Sequence, residues 1–374
     1  MTIRFGFVST YPPTICGLAT FTSSLYSELV TSSGHDGVVI RLVDSPAPPA
    51  GEEVAGDMIA GDSGSVFRAA DLLNDGDIAI VQHEYGVYGG RDGDEVLRLL
   101  DALTVPSVVV LHTVLSAPTT HQREVLEALA ASASAVVTMT ATARGRLANG
   151  YAVEMHKVSV IPHGAPPVRG RGLSVHSDRP TVLTWGLIGP GKGIEWGIEA
   201  MARLTDLAPA PRYIVAGQTH PKVLLREGEA YRGRLKAQAE RLGVAANVTF
   251  DSRYRDNAAL GELVDAADVV LLPYDSTDQV TSGVLIEAVA ALKPVIATRF
   301  PHAVELLGDG AGLLVQQRNS AEMATALRTL LTEPAMTAGM ARAAVATAPE
   351  LLWPAVAQRY LELGLQLMNA RVAA

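Results

Sequence analysis

The sequence predicts an α/β protein built as two doubly wound parallel sheets. Three observations carry this. Short β-branched runs alternate with helix-period segments from end to end. Several of those runs are almost continuously apolar, as strands covered on both faces by helices must be. One Gly- and Pro-rich stretch without periodicity divides the chain near its middle, and 374 residues suffice for two cores.

In the first half the strand runs are Ile3–Ser9, Val38–Val43, Ile78–Gln82, Ser107–His112, Ala135–Met139 and Val158–Ile161. The second half repeats the scheme with Thr181–Gly186, Arg212–Gly217, Val248–Asp251, Asp268–Pro273, Pro294–Thr298 and Gly312–Val315. Amphipathic segments such as Thr22–Val30, Gln122–Ala130, Glu195–Leu204, Tyr231–Leu242 and Ala321–Leu331 lie between them. The divider runs from Gly164 to Pro180, which sets an N-terminal domain at 1–168 and a C-terminal domain at 178–350. Beyond Val315 the pattern is helical, and a last helix over 354–374 is expected to cross back onto the first domain.

Composition narrows the function. A hydrophobic share of 48% with 18% charged residues describes a soluble globular chain. No apolar run reaches bilayer-spanning length, and the first residues read as a strand rather than a leader, so a cytoplasmic location is expected. The net charge of −9 disfavours nucleic acid as a partner. A single cysteine, Cys16, excludes an internal disulfide and a thiolate metal cluster, and reads as a small buried packing residue. Asp75-Gly-Asp77 and Asp92-Gly-Asp94 have metal-binding form but sit where turn chemistry explains them, so no metal is expected.

In an open parallel sheet ligands bind outside the carboxyl ends of the strands, and the unusual residues of this chain cluster there. In the first half they are Cys16-Gly17, His83-Glu84-Tyr85-Gly86, His112 and Pro162-His163-Gly164. In the second half they are Gly186-Leu-Ile-Gly-Pro-Gly-Lys-Gly193, Arg253-Tyr254-Arg255 and Gln279-Val-Thr-Ser-Gly283. Gly186 through Lys192 fits the phosphate loop G-x-x-x-x-G-K, but Gly193 stands where a hydroxyl should hold magnesium, which argues against a triphosphatase. Glycines that let amides approach an anion, and a lysine at a helix start, still suit an oxyanion. Ser282 reads as the N-cap of a helix from Gly283, with Glu287 one turn in, where a carboxylate could accept hydrogen bonds from a ribose diol.

These residues resemble the retaining glycosyltransferases of family 4, whose GT-B architecture sets two Rossmann-like domains facing each other. The resemblance covers nearly the whole chain and rests on Gly17, His112, Ile161–Gly164, Gly186–Gly193 and Ser282–Pro294. His83–Gly86 and Gln279–Leu285 are similar to patterns of the mannosyltransferase-like branch. It implies a metal-independent hexosyltransferase without a cofactor. The donor would be GDP-mannose, or next a UDP-sugar, and the acceptor a sugar, lipid-linked or small-molecule hydroxyl. Lys192, Gly17, Gly186, Ser282 and Gly283 would hold the donor diphosphate. Glu287 would hold the ribose, Gln279 the sugar, His112 would stand near the donor sugar, and Arg253 with Tyr254 would line the base pocket. His83, Glu84, Tyr85 and His163 would belong to the acceptor side. Two departures stand out: Leu187 replaces an arginine of the family's loop, and Gln279 replaces its first glutamate. Arg253 is a candidate to supply the missing cation. A nucleotide-sugar epimerase or a sugar phosphorylase of the same architecture is a rival, although no lysine stands out to carry the pyridoxal phosphate of the latter, and the two departures keep a catalytically silent sugar-nucleotide binder in view.

Overall fold

The computed structural model describes residues 2–48, 51–167, 179–277 and 279–373. The chain forms two units, one of Met1–Gly164 with Trp353–Ala374, the other of Ala165–Leu352.

The first unit holds seven strands: β1 Arg4–Ser9, β2 Asp36–Val43, β3 Val54–Ile59, β4 Ile78–His83, β5 Ser107–Leu111, β6 Ala135–Thr138 and β7 Val158–Val160. All pair in parallel, in the order β3-β2-β1-β4-β5-β6-β7. The intervening helices are α1 Gly17–Tyr26, α2 Ser63–Asn74, α3 Glu95–Ala102, α4 Thr120–Ser132 and α5 Ala141–Gly150. On one face of the sheet Phe5, Phe7, Ile78, Ile80, Val108 and Val110 form a core with Phe21 and Leu25 of α1. The chain's last helix, Trp353–Ala373, adds Trp353, Val356 and Tyr360 to that core. Each such fully buried side chain contributes about 1.5–3 kcal/mol, which fastens this helix to the first unit. The strand β3 is absent from the sequence reading. Its segment Val54-Ala-Gly-Asp-Met-Ile59 mixes in Gly and Asp because it is an edge strand in which Met58 alone is buried.

The second unit holds β8 Thr181–Trp185, β9 Arg212–Ala216, β10 Val248–Asp251, β11 Val269–Leu272, β12 Val295–Thr298 and β13 Gly312–Val315. The sheet is again parallel, in the order β10-β9-β8-β11-β12-β13. Its helices are α6 Ile194–Ala202, α7 Pro221–Glu227, α8 Ala230–Arg241, α9 Asn257–Asp265, α10 Gly283–Ala290, α11 Pro301–Leu307, α12 Ser320–Thr332 and α13 Pro334–Thr347, and the helix Trp353–Ala373 is α14. In both sheets the strand order reverses beside the unit's first strand, between β1 and β4 and between β8 and β11. Such a reversal splays the loops at the carboxyl ends to opposite faces and opens a crevice.

The division falls at Gly164/Ala165, at the start of the expected divider. Ala165 N–H donates to the Leu351 carbonyl at 2.7 Å, and the residue is fully buried, so the chain enters the second core at once. The remainder of the expected linker, 168–178, lies outside the described residues.

Gly217, just past β9, adopts φ +134°, and a Cβ there would stand 1.9 Å from the Gly186 carbonyl oxygen. Only a glycine lets the two backbones pass so closely. Gly217→Ala is expected to cost about 3 kcal/mol or more from strain and overlap, read as a lowered urea midpoint of the second unit.

Candidate active site

In the second unit the loop after β8 is held on both sides by backbone. Gly186 N–H continues the ladder to Ala216, and Ile188 bridges to Gln218 and His220 through two bonds of 2.8 Å. Asp275 N–H, past β11, donates to the Gly191 carbonyl at 3.1 Å. Gly193 at φ +61° starts α6, and a Cβ there would stand 1.8 Å from the Pro273 carbonyl oxygen. A Cβ on Gly186, at φ +117°, would meet Val284 Cγ2 at 3.5 Å. The loop therefore runs between the β11 loop and the first turn of α10, at the point of strand reversal. Among the described residues the amides of Leu187, Gly189, Gly191 and Gly193 make no hydrogen bond. They are unused donors beside a lysine.

Lys192 is half-buried, and its Nζ sits 4.1 Å from the ring centroid of Tyr274. Tyr274 is fully buried and stacks on Phe300 at 5.0 Å. A ring face attracts an ammonium group without consuming its hydrogen bonds. Lys192 makes no ion pair among the described residues, so its donors remain available to an anion.

Ser282 caps α10 through its Oγ, which accepts from Leu285 N–H at 3.3 Å. Its own amide donates to His302 Nδ1 at 2.8 Å. The free first-turn donors are therefore the amides of Gly283 and Val284. Gln279 turns its Nε2 to the Thr281 carbonyl, which stiffens this approach to the helix. Glu287 is half-buried in the second turn of α10, and burial pushes its carboxyl up to about 7 although Trp185 Nε1–H donates to Oε2 at 3.0 Å.

Arg253 departs from its expected role. It forks onto Asp251 with bonds of 3.0 and 2.6 Å and is 79% exposed, and Arg255 joins the same carboxylate. Both arginines hold Asp251 well below the usual carboxylate range. Without a ligand Arg253 therefore rests on the end of β10, and Tyr254 beside it is 66% exposed. Two residues at this edge escaped the sequence reading. Arg318, at φ +59° after β13, places Nε 3.5 Å from Asp275 Oδ2. His220 caps α7, and burial followed by the charges of Lys222 and Lys192 pushes its imidazole down. Neither carries a local signal, since an arginine or histidine in a loop is unremarkable until the fold brings it to the lysine.

In the first unit Gly17 opens α1 with open space where a Cβ would be. Cys16, expected to be buried packing, is half-buried and caps α1: its Sγ accepts from Ala19 N–H at 3.4 Å and lies 3.0 Å from Thr10 Oγ1. Three histidines gather at the carboxyl ends of β4, β5 and β7. His112 Nε2 donates to Gln82 Oε1 at 2.7 Å, and His163 Nδ1 donates to the Gly164 carbonyl at 2.7 Å. The Phe21 ring lies 5.0 Å from each imidazole, edge to face. His83, expected on the acceptor side, is fully buried beneath Tyr85, with no hydrogen bond at either ring nitrogen among the described residues. Glu84 and Tyr85 are half-buried, whereas His83 is inaccessible. Glu84 accepts from Thr113 Oγ1 at 2.5 Å, and Tyr85 Oη donates to the Gln122 carbonyl at 3.2 Å.

Among the described residues no cluster of three or more His, Cys, Asp or Glu could hold a metal, and no helix is long and apolar enough to cross a membrane. A cavity of about 390 Å³ lined by Leu100, Pro106, Ser134 and Leu367 lies at the opposite end of β5 and carries none of the expected residues.

Burial pushes His83 and His163 down to about 4, and His112, with the added repulsion of His163 and His83, to about 3. In the unfolded chain these groups take up protons near 6.5. Between those values the unfolded state holds more protons, so stability falls as pH drops. Between pH 6.5 and 4 the wild type is expected to lose about 3 kcal/mol more than a His83→Leu variant, measured by hydrogen exchange of the β4 and β5 amides.

Comparison with known proteins agrees with this geometry. Residues 171–347 match the family described as Glycosyl transferases group 1. D-inositol 3-phosphate glycosyltransferase of Segniliparus rotundus is 30% identical over 282 residues, which cover 70% of this chain and 61% of that protein. The enzyme of the same name from Acidothermus cellulolyticus is 28% identical over 345 residues, 85% of this chain and 74% of that one. The chain thus spans about three fifths of the Segniliparus relative's length. HepE of Anabaena, solved with UDP and glucose, superposes with a TM-score of 0.76 at 18% identity, over 96% of this chain and 99% of its own. The chain has the GT-B fold, and its residues 171–347 match the glycosyl transferases group 1 family.

Proposed function

We propose that this protein moves a hexose from a nucleotide-diphosphate sugar to a hydroxyl acceptor, with retention at the anomeric carbon. The observation that carries the reading is the meeting of Lys192, seated on Tyr274, with the unused amides of its glycine loop and the first turn of α10. A nucleoside diphosphate leaves readily once its charge is compensated, and fixed donors in a partly desolvated site do that without reorganising. The acceptor hydroxyl attacks the anomeric carbon on the face the diphosphate leaves. The departing phosphate oxygen takes the acceptor's proton, so no protein nucleophile is needed. Glu287 accepts from the ribose hydroxyls. In the first unit His112 orients a sugar through Nδ1, which Gln82 keeps unprotonated by accepting the proton on Nε2. Glu84 and Tyr85 serve the acceptor.

GDP-mannose is the donor favoured by the His83–Gly86 and Gln279–Leu285 patterns. A UDP-sugar is the second reading, favoured by the UDP and glucose found with HepE. The relatives' name makes an inositol phosphate the first acceptor to offer.

The test is an assay of nucleoside-diphosphate release from GDP-mannose and UDP-glucose with inositol 3-phosphate, the product's anomeric configuration being read by NMR. Lys192→Ala is expected to lower turnover by about 10²- to 10³-fold with an unchanged circular dichroism spectrum. Full turnover in that variant would remove Lys192 from the mechanism. Sugar interconversion without transfer would favour the epimerase, and binding without turnover the silent binder.

A further inference from the structure

The residue before the glycine loop, Trp185, ends β8 with its side chain 4% exposed. Its indole Nε1–H reaches across to α10 and donates to Glu287 Oε2 at 3.0 Å. An indole nitrogen is a donor only, so the sense of this bond is unambiguous. It is also the only hydrogen bond that the Glu287 side chain makes among the described residues. Oε1 makes no hydrogen bond among the described residues. One carboxylate oxygen is therefore anchored to the sheet, and the other is left free to accept. The anchor is rigid, because Trp185 continues the β8 ladder to Ala216 immediately before Gly186 turns away.

We infer that Trp185 is a positioning residue for nucleotide selection: by holding Oε2 of Glu287 it aims Oε1 at a vicinal diol, so that the site discriminates for a ribose bearing its 2′- and 3′-hydroxyls. This rests on the reading of Glu287 as the ribose group. Without the indole N–H the carboxylate has no fixed rotamer and its charged form loses its one donor. A hydrogen bond to a charged group is strong enough to carry about tenfold discrimination or more. The diphosphate contacts at Lys192 and α10 do not pass through Trp185, so chemistry at saturating donor should be spared.

The experiment compares the affinities of UDP and GDP with those of their 2′,3′-dideoxy forms, using whichever base the wild-type protein binds more tightly. The wild type is expected to prefer the ribo form by about tenfold or more. Trp185→Phe should cut that preference to below about threefold, raise the donor KM and leave kcat within about twofold. Replacing Trp185 with benzothienylalanine, which keeps the ring shape and loses only the N–H, should do the same and serves if the Phe variant folds poorly. Glu287→Gln separates the two failures. If it loses the preference while both Trp185 variants keep it, the role of Trp185 is overturned and that of Glu287 stands. If Glu287→Gln keeps the full preference, or the wild type has none, the ribose reading fails and this inference falls with it.

Discussion

The reversal of strand order between β8 and β11 is the constraint from which the chemistry of the second unit follows. Helices after β8 and β11 must leave toward opposite faces, so their connecting loops diverge and leave backbone donors without partners at the point of divergence. Ile188 is bridged twice to the loop after β9, and Asp275 ties down Gly191. The amides that stay unused lie on the glycines and on Leu187 beside Lys192, together with the first turn of α10. Unused donors at a reversal point are costly unless a ligand supplies acceptors. That is the physical content of the phosphate-binding reading.

The two units dress equivalent edges in opposite ways. At the reversal beside β1 the imidazoles are uncharged. His83, His112 and His163 sit among Phe21, Tyr85 and Trp353, and burial keeps protons off all three. Uncharged imidazoles suit the orientation of hydroxyls, which offer and accept hydrogen bonds without net charge. At the reversal beside β8 two long polar side chains are seated: the ammonium of Lys192 on the face of Tyr274, the carboxyl of Glu287 on the indole of Trp185. Both seats are aromatic residues at or near strand ends. Each holds a long side chain in place while leaving it hydrogen-bonding capacity for a diphosphate and a ribose.

The departures from the family pattern acquire a different meaning in this setting. Leu187 leaves the glycine loop with one cation, and Arg253, the substitute suggested by sequence, is committed to Asp251. Arg318 reaches the same edge through Asp275, next to Gly191. Gln279, in place of a glutamate, folds its amide back on Thr281, a bond that a carboxylate could not donate. The substitution thereby exchanges a negative charge for local order ahead of α10.

Much of this was legible in one dimension. Parallel strands buried on both faces must be continuously apolar, and helix starts must be capped, so the six strands of the second unit, the Ser282 cap and the glycine loop all announce themselves in local sequence. The edge strand β3 does not, because an edge needs no apolar continuity. Local sequence also named Lys192 and Glu287, because a lysine behind glycines and an acid inside an apolar helix are out of place. It could not name what holds them. Tyr274 and Trp185 read as ordinary core aromatics, and they meet Lys192 and Glu287 only because β8 and β11 lie side by side, 82 and 102 residues apart in sequence for the two pairs. The burial of His83 was decided the same way. A side chain's neighbours across a sheet, and the water they exclude, are properties of the packed chain and have no period along the sequence.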